Sequence, residues 1–179
     1  CTIDTVYDYF KIKYVFENFN NKIKTKWYKL CKDLSKVNKA KIEKEIKKKF
    51  DKIVLGTAQF GFQYGVNNQN KKINYKEVSK ILNFAKINYI KYLDTAENYK
   101  KSEKRIGKYQ IKNQNFFNVI TKFKFDRLNM IKNSFRNIKS KNIFTLLIHN
   151  PSEIDNEYKI KKIKKKISKF KKNTKYFGI

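Results

Sequence analysis

The stretch IKYLDTAENYKKSEKRIG, residues 90–107, runs from a short apolar segment through an acid into a helical pattern. Ile90, Tyr92 and Leu93 suit a pleated, half-buried surface, so they read as a strand that ends on Asp94. From Ser102 the segment SEKRIGKYQ reads as a helix. A strand, a polar turn and a helix in direct succession make one βα unit, and the fold depends on whether that unit repeats.

It repeats in both directions. Upstream, KIVLG (52–56) is a strand ending in glycine, and NYKEVSKILNFAKINY (74–89) sets Val78, Ile81, Leu82 and Ala85 on one helical face. Downstream, FFNVITK (116–122) is a strand, and DRLNMIKNSFRNI (126–138) aligns Leu128, Ile131 and Phe135. IFTLLIHNP (143–151) is a strand stopped by Pro151, YKIKKIKKKISKF (158–170) spaces Ile160, Ile163, Ile167 and Phe170 as a helix, and KYFGI (175–179) opens another strand. No hairpin signal interrupts the alternation, and runs such as NVIT and TLLI are apolar on both faces, as in buried parallel strands. Two architectures fit: a doubly wound open sheet or a (β/α)8 barrel. GTAQFGFQYG after the first strand lacks the G-x-G-x-x-G of a dinucleotide-binding open sheet, so the barrel leads.

The first fifty residues have another texture. In IDTVYDYFKIKYVFENF, Thr5 and Asp8 stand at capping-box spacing, and Tyr9, Ile12, Phe16 and Phe19 recur at helical intervals. Residues 20–50 read as a connecting region with weak helix, in which Ile42, Ile46 and Phe50 align. The expected fold class is therefore α/β: a helical N-terminal segment and linker (1–50), then the first five βα units of a truncated TIM barrel (51–179). The chain begins at Cys1 and stops inside an apparent strand, so it is expected to be a fragment of a longer protein.

The net charge of +29 suggests a basic anion- or nucleic-acid-binding protein. Arg105, Arg127 and Arg136 are the only arginines, however, and arginine supplies bidentate phosphate and base contacts. The lysines are spread evenly among Asn and Ile, residues that A/T-rich codons encode, so coding bias is the plainer source and no specific nucleic-acid partner is expected. Cys1, Cys31 and a lone histidine give no metal spacing. Two cysteines and no apolar run near the ~20 residues of a membrane span point to a cytoplasmic protein without a membrane partner.

In a βα barrel the active site is built from the carboxyl ends of the strands. Asp94, Lys122 and His149 fall at successive strand ends, with Tyr99 on the loop after Asp94. A phenol alone, with a pKa near ~10, is a poor proton donor at neutral pH. An ammonium ~4 Å away stabilises the phenolate by roughly 4 kcal/mol at an effective dielectric of ~20. Lys122 would thus make Tyr99 a general acid, Asp94 would hold Lys122 charged and in place, and His149 would orient a substrate carbonyl oxygen.

These segments resemble the aldo/keto reductases. The likeness lies in LGTAQFG (55–61), DTAENYKKSEKRIG (94–107), VITK (119–122), LLIHNP (146–151) and KYFGI (175–179), in that family's order, over about residues 52–179. It implies a (β/α)8 barrel and an NADP (NADPH) cofactor, and reduction of a small-molecule carbonyl substrate. Asp94, Tyr99, Lys122 and His149 match the catalytic tetrad, and Gly56, Thr57 and Asp94 match positions near the cofactor. Two positions depart from the family pattern: Lys100 stands where glycine usually follows the tyrosine, and Asn88–Tyr89 where the preceding helix commonly ends in glycine. The loops that hold nicotinamide and phosphates in that family follow later strands, so this chain alone is not expected to close a barrel or hold NADPH well. A catalytically dead, reductase-like binding module, suggested by Lys100, is the competing reading. CTIDTVYDYFKIKYVFENF, at the start, is similar to the tail of sugar-nucleotide (acylneuraminate-type) cytidylyltransferases, which implies a fused cytidylyltransferase domain and a role in making polysaccharide sugars.

Overall fold

The computed structural model describes residues 5–19, 26–63 and 73–178. Cys1, the Ile3–Asp4 part of the N-terminal motif, residues 20–25 of the connecting region, Tyr64–Gly65 and Ile179 lie outside the described residues. The chain separates into two compact units, residues 1–53 with 87–90, and residues 54–86 with 91–179.

The first unit is helical. Helix α1 (Val6–Asn18) opens with the expected capping box: the Thr5 hydroxyl accepts from the Asp8 amide at 3.1 Å, and the Asp8 carboxylate accepts from the Thr5 amide at 3.0 Å. Its buried face differs from the one that spacing suggests. Phe10 and Val15 are buried, while Tyr9 and Phe16 are exposed. Aromatic residues ring this helix, so it offers more than one candidate stripe, and the partner decides between them. That partner is α3 (Lys39–Phe50), whose Ile42 and Ile46 form a cluster with Phe10. The stretch read as a weakly helical connection thus contains two formed helices, α2 (Trp27–Ser35) and α3, the latter capped where Asn38 Oδ1 accepts from the Ala40 amide at 2.8 Å.

In the second unit strand and helix alternate as β1 (Val54–Gly56), α4 (Tyr75–Ile87), β2 (Tyr92–Asp94), α5 (Ser102–Lys112), β3 (Asn118–Phe123), α6 (Ile131–Ile138), β4 (Ile143–Ile148), α7 (Glu157–Ile167) and β5 (Thr174–Gly178). The strands are parallel and lie in the order β1-β2-β3-β4-β5. That order separates the two architectures. A doubly wound sheet reverses direction and places β1 inside it, whereas a barrel adds each new strand to the same side. The winding here is that of a barrel, with β1 and β5 as the outer strands. Among the described residues no helix is long and apolar enough to cross a membrane.

Along β3, Val119, Thr121 and Phe123 are buried while Asn118, Ile120 and Lys122 are half-buried, the alternation a pleated strand imposes. Asp94 lies beside Ile120 in register, so Asp94 and Lys122, two residues further on, share a face. Gly107 lets α5 approach α6 closely, since a methyl there would run into the carbonyl oxygen of Asn137. Beside it the buried Glu103 carboxylate accepts from the Thr121 hydroxyl at 2.8 Å and from Asn137 Nδ2 at 3.1 Å, tying α5 to β3 and to α6. The left-handed residue after α4 is Tyr89 (φ 61°), not Asn88.

Candidate active site

Asp94 is the last residue of β2, Lys122 the penultimate residue of β3, and His149 follows β4 directly. Backbone bonds continue past the strands here. The Thr95 amide donates to Ile120 O (2.9 Å), the Glu97 amide to Lys122 O (2.9 Å) and the His149 amide to Phe123 O (2.8 Å). These three strand ends are therefore held as one platform.

A buried hydroxyl cluster supports it. Thr57 donates to Asp94 O from its amide (2.9 Å) and its hydroxyl (2.8 Å). Thr95 Oγ1 donates to Ser102 Oγ at 3.0 Å, and Ser102 Oγ lies 2.9 Å from both Thr57 O and Thr57 Oγ1. Thr57, Thr95 and Ser102 are wholly buried, so their polar groups need these partners. Sequence reading took Ser102 only as the start of a helix; Lys101 takes the cap position and the serine is buried. Gly56 is exposed, with open space where a side chain would be.

On the platform, Lys122 Nζ donates to both Asp94 oxygens, at 2.5 and 2.6 Å. The pair is partly enclosed, with the lysine side chain 20% and the carboxylate 31% exposed. The ammonium lies over the Tyr99 ring, 5.8 Å from its centre, and the His149 ring meets Tyr99 edge-on at 6.0 Å and 88°. The structure thus brings together the four side chains at the strand ends. The cation's nearest partner is Asp94, and it addresses the tyrosine through the ring face.

Tyr99 is placed by its neighbours. Its amide donates to Ala96 O (3.0 Å), its carbonyl accepts from the Ser102 amide (2.9 Å), and its ring packs against Phe62 at 5.9 Å. Gly61 permits this approach, because a methyl there would strike the Tyr99 carbonyl oxygen. Lys100 takes φ 46°, the left-handed conformation usually left to glycine. The loop therefore forms with lysine, at a local cost of about 1–2 kcal/mol.

His149 has a pKa below its ordinary value, first because burial penalises the cation, then because Lys122 and Lys124 repel it; Glu153 and Asp94 oppose the shift. Its Nδ1 is buried without a partner in the structure. The site therefore holds a neutral imidazole near pH 7, next to an ion pair whose charges cancel. Among the described residues no three His, Cys, Asp or Glu side chains gather as a metal site would require.

Cavity size does not single out this end of the sheet. A cavity of about 830 Å³ lies at the opposite, amino ends of β3–β5, whereas one of about 460 Å³ opens between the loops after β2 and β3. The smaller one is lined by chain neighbours of Tyr99 and Lys122 (Asn98, Lys100 and Lys124) and by none of the four paired groups, so chemistry, not volume, points to the candidate site.

The family model for the aldo/keto reductase family matches residues 52–179. Solved structures with a similar fold include the holo form of an aldo-keto reductase from Bacillus halodurans, at 18% identity and TM-score 0.56, covering 71% of this chain and 45% of that one. A thermostable aldo-keto reductase in complex with the inhibitor epalrestat aligns at 22% identity and TM-score 0.53, over 70% of this chain and 47% of that one. An aldo-keto reductase from Klebsiella pneumoniae in complex with NADPH aligns at 15% and 0.54, over 70% and 44%. The chain spans about half the length of these structures, and at such identities the likeness is one of fold. A comparison with curated proteins finds no match.

Proposed function

This chain belongs to the aldo/keto reductase family, and on that premise we propose that it carries the proton-transfer half of an NADP-dependent carbonyl reductase. The observation that carries the reading is the two-oxygen Asp94–Lys122 ion pair lying against Tyr99, with His149 edge-on to the same ring. In this reading Tyr99 donates its phenolic proton to the carbonyl oxygen of an aldehyde or ketone. Lys122 stabilises the negative charge left on the phenol, and Asp94 keeps the ammonium protonated and in position. His149, neutral, hydrogen-bonds the carbonyl oxygen and sets its angle to Tyr99.

The cofactor fits the residues present only in part. Gly56 leaves open space at the end of β1, and His149 Nδ1 is a buried group in want of a partner. The phosphate-binding loops implied by the family resemblance follow strands beyond β5. When bound, NADPH supplies the hydride that reaches the carbonyl carbon. The reading is tested on the full-length protein by following NADPH consumption with a panel of aldehydes and ketones. Tyr99→Phe should lower turnover ~10²-fold or more, the usual worth of a positioned acid, while NADPH binding by fluorescence titration is retained. Turnover within a few-fold of wild type would remove Tyr99 from the proton-donor role.

The finer assignment, a sugar carbonyl reduced in the cytoplasm during polysaccharide synthesis, rests on the cytidylyltransferase-like opening residues. Release of pyrophosphate from CTP and an acidic sugar by the full-length protein would support the fused domain, and its absence would leave the helices as an addition to the barrel.

A further inference from the structure

One buried acid has no part in the proton transfer proposed above. Glu103, in the first turn of α5, is 1% exposed. Its carboxylate is held by two neutral groups, the Thr121 hydroxyl at 2.8 Å and Asn137 Nδ2 at 3.1 Å, and among the described residues by no cation. A glutamate is rarely enclosed in this way, and an apolar side chain would fill the same space at less cost. The amino end of a helix favours an acid, but an exposed acid gains that attraction too, so the helix alone does not account for the burial.

The position of the two bonds does account for it. Tyr99 runs directly into α5, since its carbonyl accepts from the Ser102 amide at 2.9 Å, so the turn bearing the phenol and the first turn of the helix are one piece. Ser102 ties that piece to Thr57 and Thr95, the residues that follow β1 and β2. Glu103, next in the chain, extends the tie to β3 through Thr121, the residue before Lys122. Thr121 is wholly buried and Lys122 half-buried, on alternate sides of the strand. The bond therefore holds the backbone of β3 from behind and leaves the ammonium to reach Asp94. The other Glu103 oxygen faces α6, which carries none of the four strand-end residues.

We propose that Glu103 is a positioning residue: through Thr121 it registers β3 against the first turn of α5, and so fixes where the Lys122 ammonium stands over the Tyr99 ring, 5.8 Å from its centre. The assignment rests on the carbonyl-reductase reading above. It gives the two bonds of one carboxylate different duties, alignment on the strand side and support on the helix side.

The test compares those two bonds in the full-length protein, with NADPH and the panel of aldehydes and ketones. Thr121→Val removes the hydroxyl and Asn137→Ala the amide, and each leaves one Glu103 oxygen without its partner. Thr121→Val should lower kcat about tenfold with KM changed by no more than about twofold, because substrate still binds while the donor and its cation lose their alignment. Asn137→Ala should keep kcat within about twofold of wild type, whatever melting temperature it loses. Thr121→Ser keeps the hydroxyl and should keep most of kcat. Glu103→Gln still offers Thr121 an acceptor and should do the same, whereas Glu103→Leu should fall with Thr121→Val. Wild-type kcat in Thr121→Val, or equal losses in Thr121→Val and Asn137→Ala that follow their melting temperatures, would reduce Glu103 to a packing tie and leave the reductase standing. A folded Glu103→Gln protein as slow as Thr121→Val would do so too. A wild-type protein that consumes no NADPH with any carbonyl of the panel would overturn both readings.

Discussion

The two ends of the sheet are made from the same lysine-rich chain and use it in opposite ways. At the amino ends of β3–β5 a wide cavity is bordered by Lys139, Lys141, Lys171, Lys172 and Lys175, all exposed, with no acid in its lining. At the carboxyl ends Lys122 is half-buried, bonded to both oxygens of one carboxylate and set against the Tyr99 ring. Local concentration of charge therefore does not mark out the candidate site. Burial and pairing are better guides, because an ion removed from water persists only where partners offset its desolvation.

The sharpest way to break this contrast is to exchange one cation at each end. Lys122→Met leaves the Asp94 carboxylate partly enclosed without its partner. Activity of the full-length protein should fall ~10²-fold or more, and thermal or urea unfolding should register a loss of about 1–3 kcal/mol, below the range for fully buried pairs because both groups keep some solvent. An active, equally stable Lys122→Met protein would place this pair with the ornamental surface charges.

Two glycines probe a similar difference between chemistry and support. A methyl at Gly61 meets the backbone of Tyr99, and one at Gly107 meets the backbone of α6. Each Gly→Ala change should cost about 1–3 kcal/mol, since a backbone atom cannot swing aside as a side chain can. Only Gly61→Ala should also depress kcat out of proportion to stability, because it moves the loop bearing Tyr99. Equal losses of kcat would mean that the Tyr99 loop is not specially placed. Ser102→Ala is the next smaller test. It removes the hub between Thr57 and Thr95 and should cost about 1–2 kcal/mol in unfolding experiments.

How far this contrast can be read from sequence follows from what each end is made of. The strand ends were legible because Asp94, Lys122 and His149 close apolar runs, and the alternation of periods two and 3.6 announced parallel βα units. What escaped is long-range. Nothing local says that the Ser102 hydroxyl reaches Thr57 across 45 positions of chain, or that Arg127 pairs with Glu97 across 30. The buried face of α1 was misread for a related reason: with aromatics on several sides, only Ile42 and Ile46 of the partner helix choose Phe10 over Tyr9. Lys100 shows the converse, a residue that sequence marked as disruptive and that the fold accommodates at φ 46°.

The smallest expected effect concerns pH, and its sign follows from burial. His149 titrates below its ordinary value in the folded chain, while in the unfolded chain it titrates near 6.5. Above that value both states hold it neutral and its contribution is intact. As pH falls the unfolded chain takes up the proton first, so stability is lost progressively from about 6.5 down through the folded pKa. Replacing the imidazole by a group that does not titrate, as in His149→Asn, should flatten that limb: the variant's melting temperature should change less than wild type's between about pH 7.5 and pH 5.5. At the other end of the sheet, the exposed changes Lys141→Met and Lys172→Met should alter stability by no more than about 0.5 kcal/mol and leave the acid limb untouched. Identical acid limbs in wild type and His149→Asn would mean that water reaches the imidazole freely, and the contrast between an enclosed, paired end and an open, solvated one would then rest on Asp94 and Lys122 alone.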